Sequence, residues 1–272
     1  MEFVSRYVSH TPDAAGYVTY STEEDSVWHT LYTRQKALLP NRASEAFIDG
    51  LKALDLSSEH IPQLPDVNKK LRAATGWEVS PVAALISARA FFELLADKKF
   101  PAATFIRDKS SLNYVQEPDI FHEVFGHCPM LTNQVYADFM HAYAKRVLTF
   151  DEADWPLLQR FFWFTVEFGL IQDKSGLKAY GGGILSSISE TPYSIESSEA
   201  MRVLFDPVAV FRMPYRIDAL QPVYFVINSY DMLYEFINAD WAELMAQTRK
   251  LGEYAPYFPV EANNPSIHIR AC

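Results

Sequence analysis

Two histidines five residues apart constrain this chain more than any other feature. His122 and His127 lie in residues 118–131 (PDIFHEVFGHCPML), a stretch with two acids among otherwise mostly apolar neighbours. Imidazole is the commonest protein metal ligand, and a histidine among large apolar residues needs a polar or metal partner. On a regular helix, side chains five residues apart are separated by about 140° around the helix axis. Both rings therefore reach one ion only if the helix ends or distorts between them.

The break in the helix is expected at Gly126 and Pro129, because glycine weakens a helix and proline interrupts it. The same spacing separates HEVFGH from the HExxH motif of zinc proteases, in which the second histidine comes one residue earlier. The segment therefore predicts two ligands of a metal site whose third ligand lies elsewhere in the chain.

The candidate third ligand is Glu167. Residues 155–170 (WPLLQRFFWFTVEFGL) predict a helix that is apolar on nearly all sides and hence buried. Glu167 is the one acid between residues 161 and 170. A buried carboxylate costs several kcal/mol unless it is paired or bound to a metal. An arginine or lysine partner would give Glu167 a structural role, whereas coordination would complete the metal site.

Three classes of protein fit these residues. Two imidazoles and one carboxylate with open positions are the ligands of non-haem ferrous oxygenases. Zinc hydrolases use the same ligand types and need a general base, for which Glu123 is the candidate. A non-catalytic aromatic-binding module, with both histidines in its core, is the third class. The aromatic content of 14% favours an oxygenase, because aromatic residues can line a dry cavity.

Composition and charge indicate where the protein is located and which surfaces it does not bind. The 272 residues carry a net charge of −10, which argues against a nucleic-acid-binding or anionic membrane surface. No apolar run approaches the ~20 residues of a transmembrane helix. The N-terminus lacks the basic-then-apolar pattern of a signal peptide, so we expect a cytoplasmic protein.

Apolar periodicity predicts a mainly α fold with a few short strands. We expect an extension over residues 1–25 and one catalytic domain over residues 26–272. Predicted helices cover residues 26–39, 44–54, 65–76, 132–150, 155–170 and 229–251, with a further helix through Phe91 and Phe92. Residues 100–107 are predicted to be extended, and residues 266–270 to form an edge strand. Residues 180–190 (YGGGILSSISE) predict a tight turn with positive φ beside a ligand.

Several blocks of the sequence, in order, resemble the signature blocks of the pterin-dependent aromatic amino acid hydroxylases. They read QEPDIFHEVFGH, WFTVEFGL and KAYGGGILSS, and IPQLPDV and PVAALISARAFF also match, so the resemblance runs from about Trp28 to the last helix. It implies a mostly helical catalytic domain with one ferrous iron, a tetrahydropterin as reductant and dioxygen as oxidant. The implied reaction is hydroxylation of L-phenylalanine to L-tyrosine, with tryptophan hydroxylation as the alternative within the family.

The resemblance also implies roles for individual residues. The implied iron ligands are His122, His127 and Glu167, the three residues that the chemistry of the side chains also selects. The implied pterin contacts are Phe91, which stacks on the pterin, Ile86 and Ala88, which contact it through their backbones, and Glu123, which reaches it through water.

The amino acid substrate has its own implied contacts. Arg107 pairs with the substrate carboxylate and Asp119 orients Arg107, because a bidentate guanidinium grip suits a carboxylate. The implied ring pocket is walled by Pro118, His122, Trp163 and Phe168, with Gly183 and Ser186 approaching the substrate and the ligands.

Three positions depart from the family pattern. Val115 replaces a threonine that helps to hold the amino acid in many relatives, and Phe162 replaces a tyrosine near the iron. Ile217 stands where an acid would favour tyrosine, and an apolar residue there suits the unsubstituted ring of phenylalanine. We expect a monomer or weak homodimer, because the sequence shows neither an upstream regulatory domain nor the long heptad helix that tetramerises animal members.

Overall fold

Helices dominate the architecture. A computed structural model describes residues 7–83 and 86–256 of the chain. About 52% of the structure is helical and 11% is in strands, which confirms the predicted mainly α fold with a few short strands. Within the described residues, none of the helices is long and apolar enough to cross a membrane.

Three helices form the N-terminal part of the described chain. They are α1 (Thr22–Leu38), α2 (Glu45–Leu54) and α3 (Leu64–Ala74). α1 begins before the predicted Ser26 because Ser21 caps it: the Ser21 hydroxyl accepts from the Glu24 N–H, and the Glu24 carboxylate accepts from the Ser21 N–H. The boundary expected at residue 25 falls inside α1. The segment before α1 contacts the rest of the chain, and Tyr7 stacks on Phe105.

A parallel two-stranded sheet leads the chain toward Arg107. Its strands are β1 (Glu78–Val82) and β2 (Lys99–Ala103), and they are joined by α4 (Ala88–Ala96). β2 starts the stretch that the sequence predicts to be extended, and it is buried from Phe100 to Ala103. The sequence does not predict β1, because EVSPV is short and contains a proline, a residue confined to strand edges.

Buried aromatic helices occupy the middle of the chain. In order they are a first π-helix (Phe121–His127), α5 (Cys128–Leu131), α6 (Gln134–Val147), α7 (Trp155–Phe162) and a second π-helix (Trp163–Glu167), with 3₁₀ turns at Lys109–Ser111 and Glu152–Asp154. Phe139 and Tyr143 of α6 are fully buried, and Tyr143 stacks on Phe161 of α7. The chain leading into the second π-helix is therefore fixed by core packing.

A four-stranded sheet follows the second π-helix. Its strands are β3 (Leu170–Asp173), β4 (Gly176–Ala179), β5 (Met201–Leu204) and β6 (Val223–Ile227), in the order β4-β3-β6-β5, and the helices between them are α8 (Gly182–Leu185), α9 (Glu190–Glu196) and α10 (Pro207–Arg212). β3 and β4 form an antiparallel hairpin, whereas β6 pairs in parallel with β3 and β5. The hairpin turns the chain back, so that residues 181–183 lie against Glu167.

Two helices, α11 (Asp231–Asn238) and α12 (Trp241–Leu251), end the described chain. The prediction of a single helix over residues 229–251 is wrong. Ala239 is extended with a ψ of 162°, and the Asp240 side chain accepts from the Glu243 N–H and so caps a new helix. The strand predicted at residues 266–270 lies outside the described residues.

Candidate active site

The first π-helix brings the two histidines together. A π-helix bonds residue i to residue i+5, so side chains five residues apart lie one turn above each other. The Nε2 atoms of His122 and His127 are 3.1 Å apart. The predicted distortion of the helix is confirmed, but the predicted break is wrong. The chain continues through Gly126 into α5, where Pro129 fits in the first turn.

Gly126 instead makes room for close backbone contact. A Cβ on Gly126 would lie 2.7 Å from the Gly182 carbonyl oxygen, and a Cβ on Gly182 would lie 2.4 Å from the His127 ring. A Cβ on Gly181 would lie 2.3 Å from the Glu167 carbonyl oxygen. The predicted close approach of the YGGG segment is confirmed. Its predicted positive φ is wrong, because Gly181 has a φ of −68° and caps α8.

The second π-helix ends on Glu167 and delivers its carboxylate to the histidines. Glu167 Oε2 lies 3.2 Å from His127 Nε2 and 3.6 Å from His122 Nε2. The Glu167 carboxylate lies against these two imidazoles, and among the described residues it forms no ion pair with an arginine or lysine. Burial raises the pKa of Glu167, but the imidazoles and the Gly183 N–H that donates to it outweigh burial, so the net pKa is lowered.

Ser186 fixes the proton on His122. The Ser186 hydroxyl donates to the Gly182 carbonyl oxygen at 2.8 Å, so its oxygen accepts from His122 Nδ1–H at 2.9 Å. His122 then carries a lone pair on Nε2, the atom that faces His127 and Glu167. Burial lowers the pKa of His122 to about 4, which keeps the ring neutral. The ring is thus in the state that a metal ligand requires.

Two imidazole nitrogens and one carboxylate oxygen therefore converge at one point. Nitrogen and oxygen ligands about 2.1 Å from one first-row metal ion lie roughly 3.0 to 3.4 Å apart, depending on the coordination geometry. Two of the observed separations, 3.1 and 3.2 Å, fall within that spacing, and the third, 3.6 Å between His122 and Glu167, is slightly longer. Glu123 lies in a looser cluster with the two histidines, within 4.8 Å, so Glu167 is the better placed carboxylate. Burial, and then the charge of Glu167, raises the pKa of Glu123 well above its usual value.

Arg107 and Asp119 form a buried pair beside the histidines. Arg107 Nε and Nη2 donate to the two Asp119 oxygens at 2.7 Å each, and the Arg107 backbone N–H donates at 3.0 Å. Asp119 Oδ1 also accepts from the His122 backbone N–H at 3.0 Å. Burial raises the pKa of Asp119, but Arg107 and these N–H donors lower it by more, so the pKa of Asp119 is below its ordinary value. One carboxylate thus orients both the guanidinium and the start of the first π-helix.

Aromatic rings gather at the start of the second π-helix. The Trp163 indole centroid lies 4.5 Å from the Phe168 ring and 4.5 Å from the Tyr215 ring. Phe162, one residue earlier, meets Phe91 of α4 edge-on at 5.3 Å. The residue predicted to stack on the pterin therefore contacts the residue that directly precedes Trp163 of the predicted ring pocket.

Of the other predicted contacts, Pro118 precedes a site residue in the sequence and Gly183 lies against one in space. Ile86 is half-buried against the core and directly follows the undescribed residues 84 and 85, and Ala88 opens α4. Pro118 is half-buried one residue before Asp119. A Cβ on Gly183 would lie 3.1 Å from Glu167 Oε2, so this backbone passes directly beside the ligand cluster.

Three residues at the pocket are missing from the sequence prediction. Tyr215 stacks on Trp163, Gln221 Oε1 accepts from Trp163 Nε1–H at 3.1 Å, and Tyr114 donates its hydroxyl to the Ile217 carbonyl oxygen at 3.1 Å. Tyr215 and Gln221 lie in the connection between α10 and β6, where no local pattern marks a pocket residue. Long-range pairing of β6 with β3 brings them to the site.

The sequence and the fold match one known family over nearly the whole chain. Residues 5–260 match the biopterin-dependent aromatic amino acid hydroxylases. The chain belongs to this family and is a biopterin-dependent hydroxylase. Membership excludes the zinc hydrolase and the non-catalytic binding module that the ligand types alone leave open.

Individual relatives of the chain within this family include several phenylalanine hydroxylases. Phenylalanine-4-hydroxylase of Pseudomonas aeruginosa is 47% identical over 255 residues, which cover 94% of this chain and 97% of that protein. The structure of phenylalanine hydroxylase from Legionella pneumophila has a TM-score of 0.91 and 65% identity, and covers 92% of this chain and 100% of that chain. Chromobacterium violaceum phenylalanine hydroxylase, solved with bound oxidised Fe(III), has a TM-score of 0.84 and 41% identity over 90% of this chain and 91% of that chain.

Proposed function

We propose that this chain is a phenylalanine 4-monooxygenase, which hydroxylates L-phenylalanine to L-tyrosine with dioxygen and a tetrahydropterin. The observation that carries the proposal is the convergence of His122, His127 and Glu167 at distances suited to one metal ion. Family membership and relatives named for this reaction support it.

The metal site is assigned to the three converging side chains. A ferrous iron held there would activate dioxygen, the oxidant for aromatic hydroxylation, and the tetrahydropterin would supply the two reducing electrons that the second oxygen atom requires. The protein positions the ligands: Ser186 holds the His122 tautomer, and the glycine backbone at 181–183 packs against Glu167 and His127. Both Glu167 and His127 are at most 3% exposed, which keeps bulk water away from the reacting atoms.

The amino acid substrate is assigned to Arg107. Asp119 engages two of the five side-chain N–H groups of Arg107, which leaves the Nη1 edge able to donate to a substrate carboxylate. Trp163 and Phe168 then wall the ring of the substrate, together with Pro118 and the backbone at Gly183. Because Asp119 also holds the His122 N–H, the carboxylate grip and the metal site share one anchor.

The pterin is assigned to the space beside Phe91. Phe91 is 5% exposed and its ring meets Phe162 edge-on, and we assign the neighbouring backbone contacts to Ile86 and Ala88. Glu123 completes the assignment as an acid that reaches the pterin through water. Phenylalanine is the assigned substrate, because Ile217 offers an apolar contact to an unsubstituted ring where an acid would favour the phenol of tyrosine. We also propose a cytoplasmic protein that is a monomer or a weak homodimer, a state that sedimentation equilibrium would measure.

The direct test is tyrosine formation from L-phenylalanine under air, with ferrous iron and a synthetic tetrahydropterin. Each component is omitted in turn, and a parallel reaction contains L-tryptophan. We expect tyrosine only when all components are present, and more product from phenylalanine than from tryptophan. Absence of tyrosine with iron bound would contradict the assigned substrate, and equal product without pterin would contradict the assigned reductant.

A further inference from the structure

A chain of buried hydrogen bonds runs behind the aromatic wall. Gln221, which is 1% exposed, accepts from Trp163 Nε1–H at 3.1 Å through its side-chain oxygen. Its side-chain nitrogen donates to the carbonyl oxygens of Arg216 at 2.7 Å and Ala219 at 3.1 Å. One amide therefore ties the indole to the loop that precedes β6.

Glu190 holds Gln221 from the other side. Glu190 lies at the start of α9 and is 4% exposed. Its Oε1 atom accepts from the Gln221 backbone N–H at 3.0 Å and from the Tyr224 hydroxyl of β6. The backbone of Gln221 is thus fixed between α9 and the four-stranded sheet, and its side chain points at Trp163.

Only one orientation of the Gln221 amide satisfies all of its hydrogen bonds. Both amide hydrogens are used by the Arg216 and Ala219 carbonyl oxygens, so the oxygen must face the indole. A flipped amide would place its NH₂ group opposite the Trp163 N–H, with two donors facing each other, and would leave two carbonyl groups without a donor. The network therefore specifies the position of the indole edge.

The ring contacts of Trp163 do not by themselves prevent the indole from sliding within its own plane. Phe168 and Tyr215 restrict tilting of Trp163, but offset aromatic contacts tolerate sliding within the ring plane. A hydrogen bond at the Nε1 edge is directional and opposes that sliding. The Gln221 amide also holds the loop of residues 215–219, which carries Tyr215 and Ile217.

We propose that Gln221, held by Glu190, is a positioning residue that fixes Trp163 and the loop 215–219, and thereby determines which aromatic side chain the pocket accepts. The inference rests on the proposed function, in which Trp163 walls the substrate ring. A pocket shaped for one six-membered ring excludes an indole substrate only while its wall stays in place.

The test combines kinetics with structure. In Gln221→Met, which keeps the volume but loses the amide, we expect the KM for L-phenylalanine to rise about tenfold, the value for one lost hydrogen bond of about 1.4 kcal/mol. The change in kcat is smaller, iron content is unchanged, and the preference for phenylalanine over tryptophan in kcat/KM falls by a similar factor. The crystal structure of the iron-loaded variant should show a displaced or doubly occupied Trp163 indole.

Three further variants make the test specific. Glu190→Gln keeps an acceptor for the Gln221 N–H and should behave like the unaltered protein, whereas Glu190→Leu should resemble Gln221→Met. Gln35→Met removes another buried amide, which donates to Thr191 at 2.7 Å, and should change neither KM nor selectivity. If Gln221→Met does not fold, Gln221→Asn keeps an amide but is too short for the indole.

Two results would overturn the inference. One is an unmoved Trp163 indole in Gln221→Met or Gln221→Asn, and the other is a displaced indole with unchanged KM and selectivity. An unaltered protein that makes no tyrosine would overturn the proposed function instead, and the crystal structures would still report whether Gln221 positions Trp163.

Discussion

Two buried charged clusters lie side by side in this protein and are completed in different ways. In the pair Arg107–Asp119, cation and anion are both present, and the carboxylate accepts from four N–H groups. In the cluster of His122, His127 and Glu167, two imidazole nitrogens and a carboxylate oxygen face one another, and among the described residues no arginine or lysine forms an ion pair with Glu167. The pair is complete within the protein, whereas we propose that a metal cation completes the cluster.

Substitutions in the two clusters should therefore affect different properties, namely folding stability for the Arg107–Asp119 pair and activity for the cluster of histidines and Glu167. Removing one partner of a complete buried pair leaves an uncompensated charge, so the cost falls on folding. Removing one histidine of the cluster leaves no buried arginine or lysine unpaired, so the cost falls on metal binding and on the reaction. Variants in the two clusters should therefore fail in different assays.

The largest expected effect is loss of the reaction in His127→Ala. The variant loses a ligand at the centre of the cluster, and we expect iron content and tyrosine formation to fall to background together. Metal analysis and product assay of the same preparation measure both. His141→Ala, which alters a histidine on α6 outside the cluster, is the control and should keep iron and activity. A His127→Ala protein with full turnover would remove this residue from the ligand set.

The next effect is on folding. Asp119→Ala leaves Arg107 buried without its anion, and we expect a loss of about 3–5 kcal/mol in the free energy of unfolding. Asp218→Ala breaks a pair with Arg216 that is 31% and 37% exposed, and should cost only about 0–1 kcal/mol. Urea unfolding of both variants without metal measures the two values. Similar losses for the two variants would contradict the account of the buried pair.

Arg107→Lys should alter substrate binding more than folding. Lysine keeps the charge but loses the planar fork that engages Asp119 and a substrate carboxylate together. We expect the KM for L-phenylalanine to rise roughly 10–100-fold, the equivalent of one or two charge-assisted hydrogen bonds, with iron content unchanged. An unchanged KM would show that the substrate carboxylate binds elsewhere.

Much of this arrangement follows from the sequence, and the part that does not has a physical reason. The apolar surroundings of His122, His127 and Glu167 single them out, because a charged or ligating group there needs a partner. Helix periodicity, however, assumes a regular turn, so it cannot indicate that two π-helices present the ligands, and it predicts a break at Gly126 instead. Gln221 gives no local signal, because the long-range pairing of β6 brings it to Trp163.

Glu190 extends the comparison to a buried carboxylate that forms no ion pair with an arginine, lysine or histidine among the described residues. Its hydrogen-bond donors are the neutral Tyr224 hydroxyl and the Gln221 N–H. Burial raises the pKa of Glu190 to about 7 from its ordinary value of 4.5, opposite in direction to the shifts at Asp119 and Glu167. Its native environment therefore favours the protonated acid.

The smallest predicted effect is a pH dependence of the folding stability that follows from the raised pKa of Glu190. The stabilising contribution of Glu190 is fully present below pH 4.5 and is lost as the pH rises through about 7, because the unfolded chain gives up this proton more readily. The melting temperature of Glu190→Gln relative to the unaltered protein should therefore increase from pH 5 to pH 8. A difference that is constant across this range would contradict the raised pKa.

The claim that one cation completes the ligand cluster is tested most directly by thermal unfolding during an anaerobic titration with ferrous iron. We predict that the melting temperature of the unaltered protein rises and saturates near one iron per chain, since a ligand at 100 times its Kd stabilises the folded state by about 2.7 kcal/mol. The melting temperature of Glu167→Ala should not rise in the same range. An equal rise in both proteins, or no rise in either, would contradict the assignment of His122, His127 and Glu167 as the metal site.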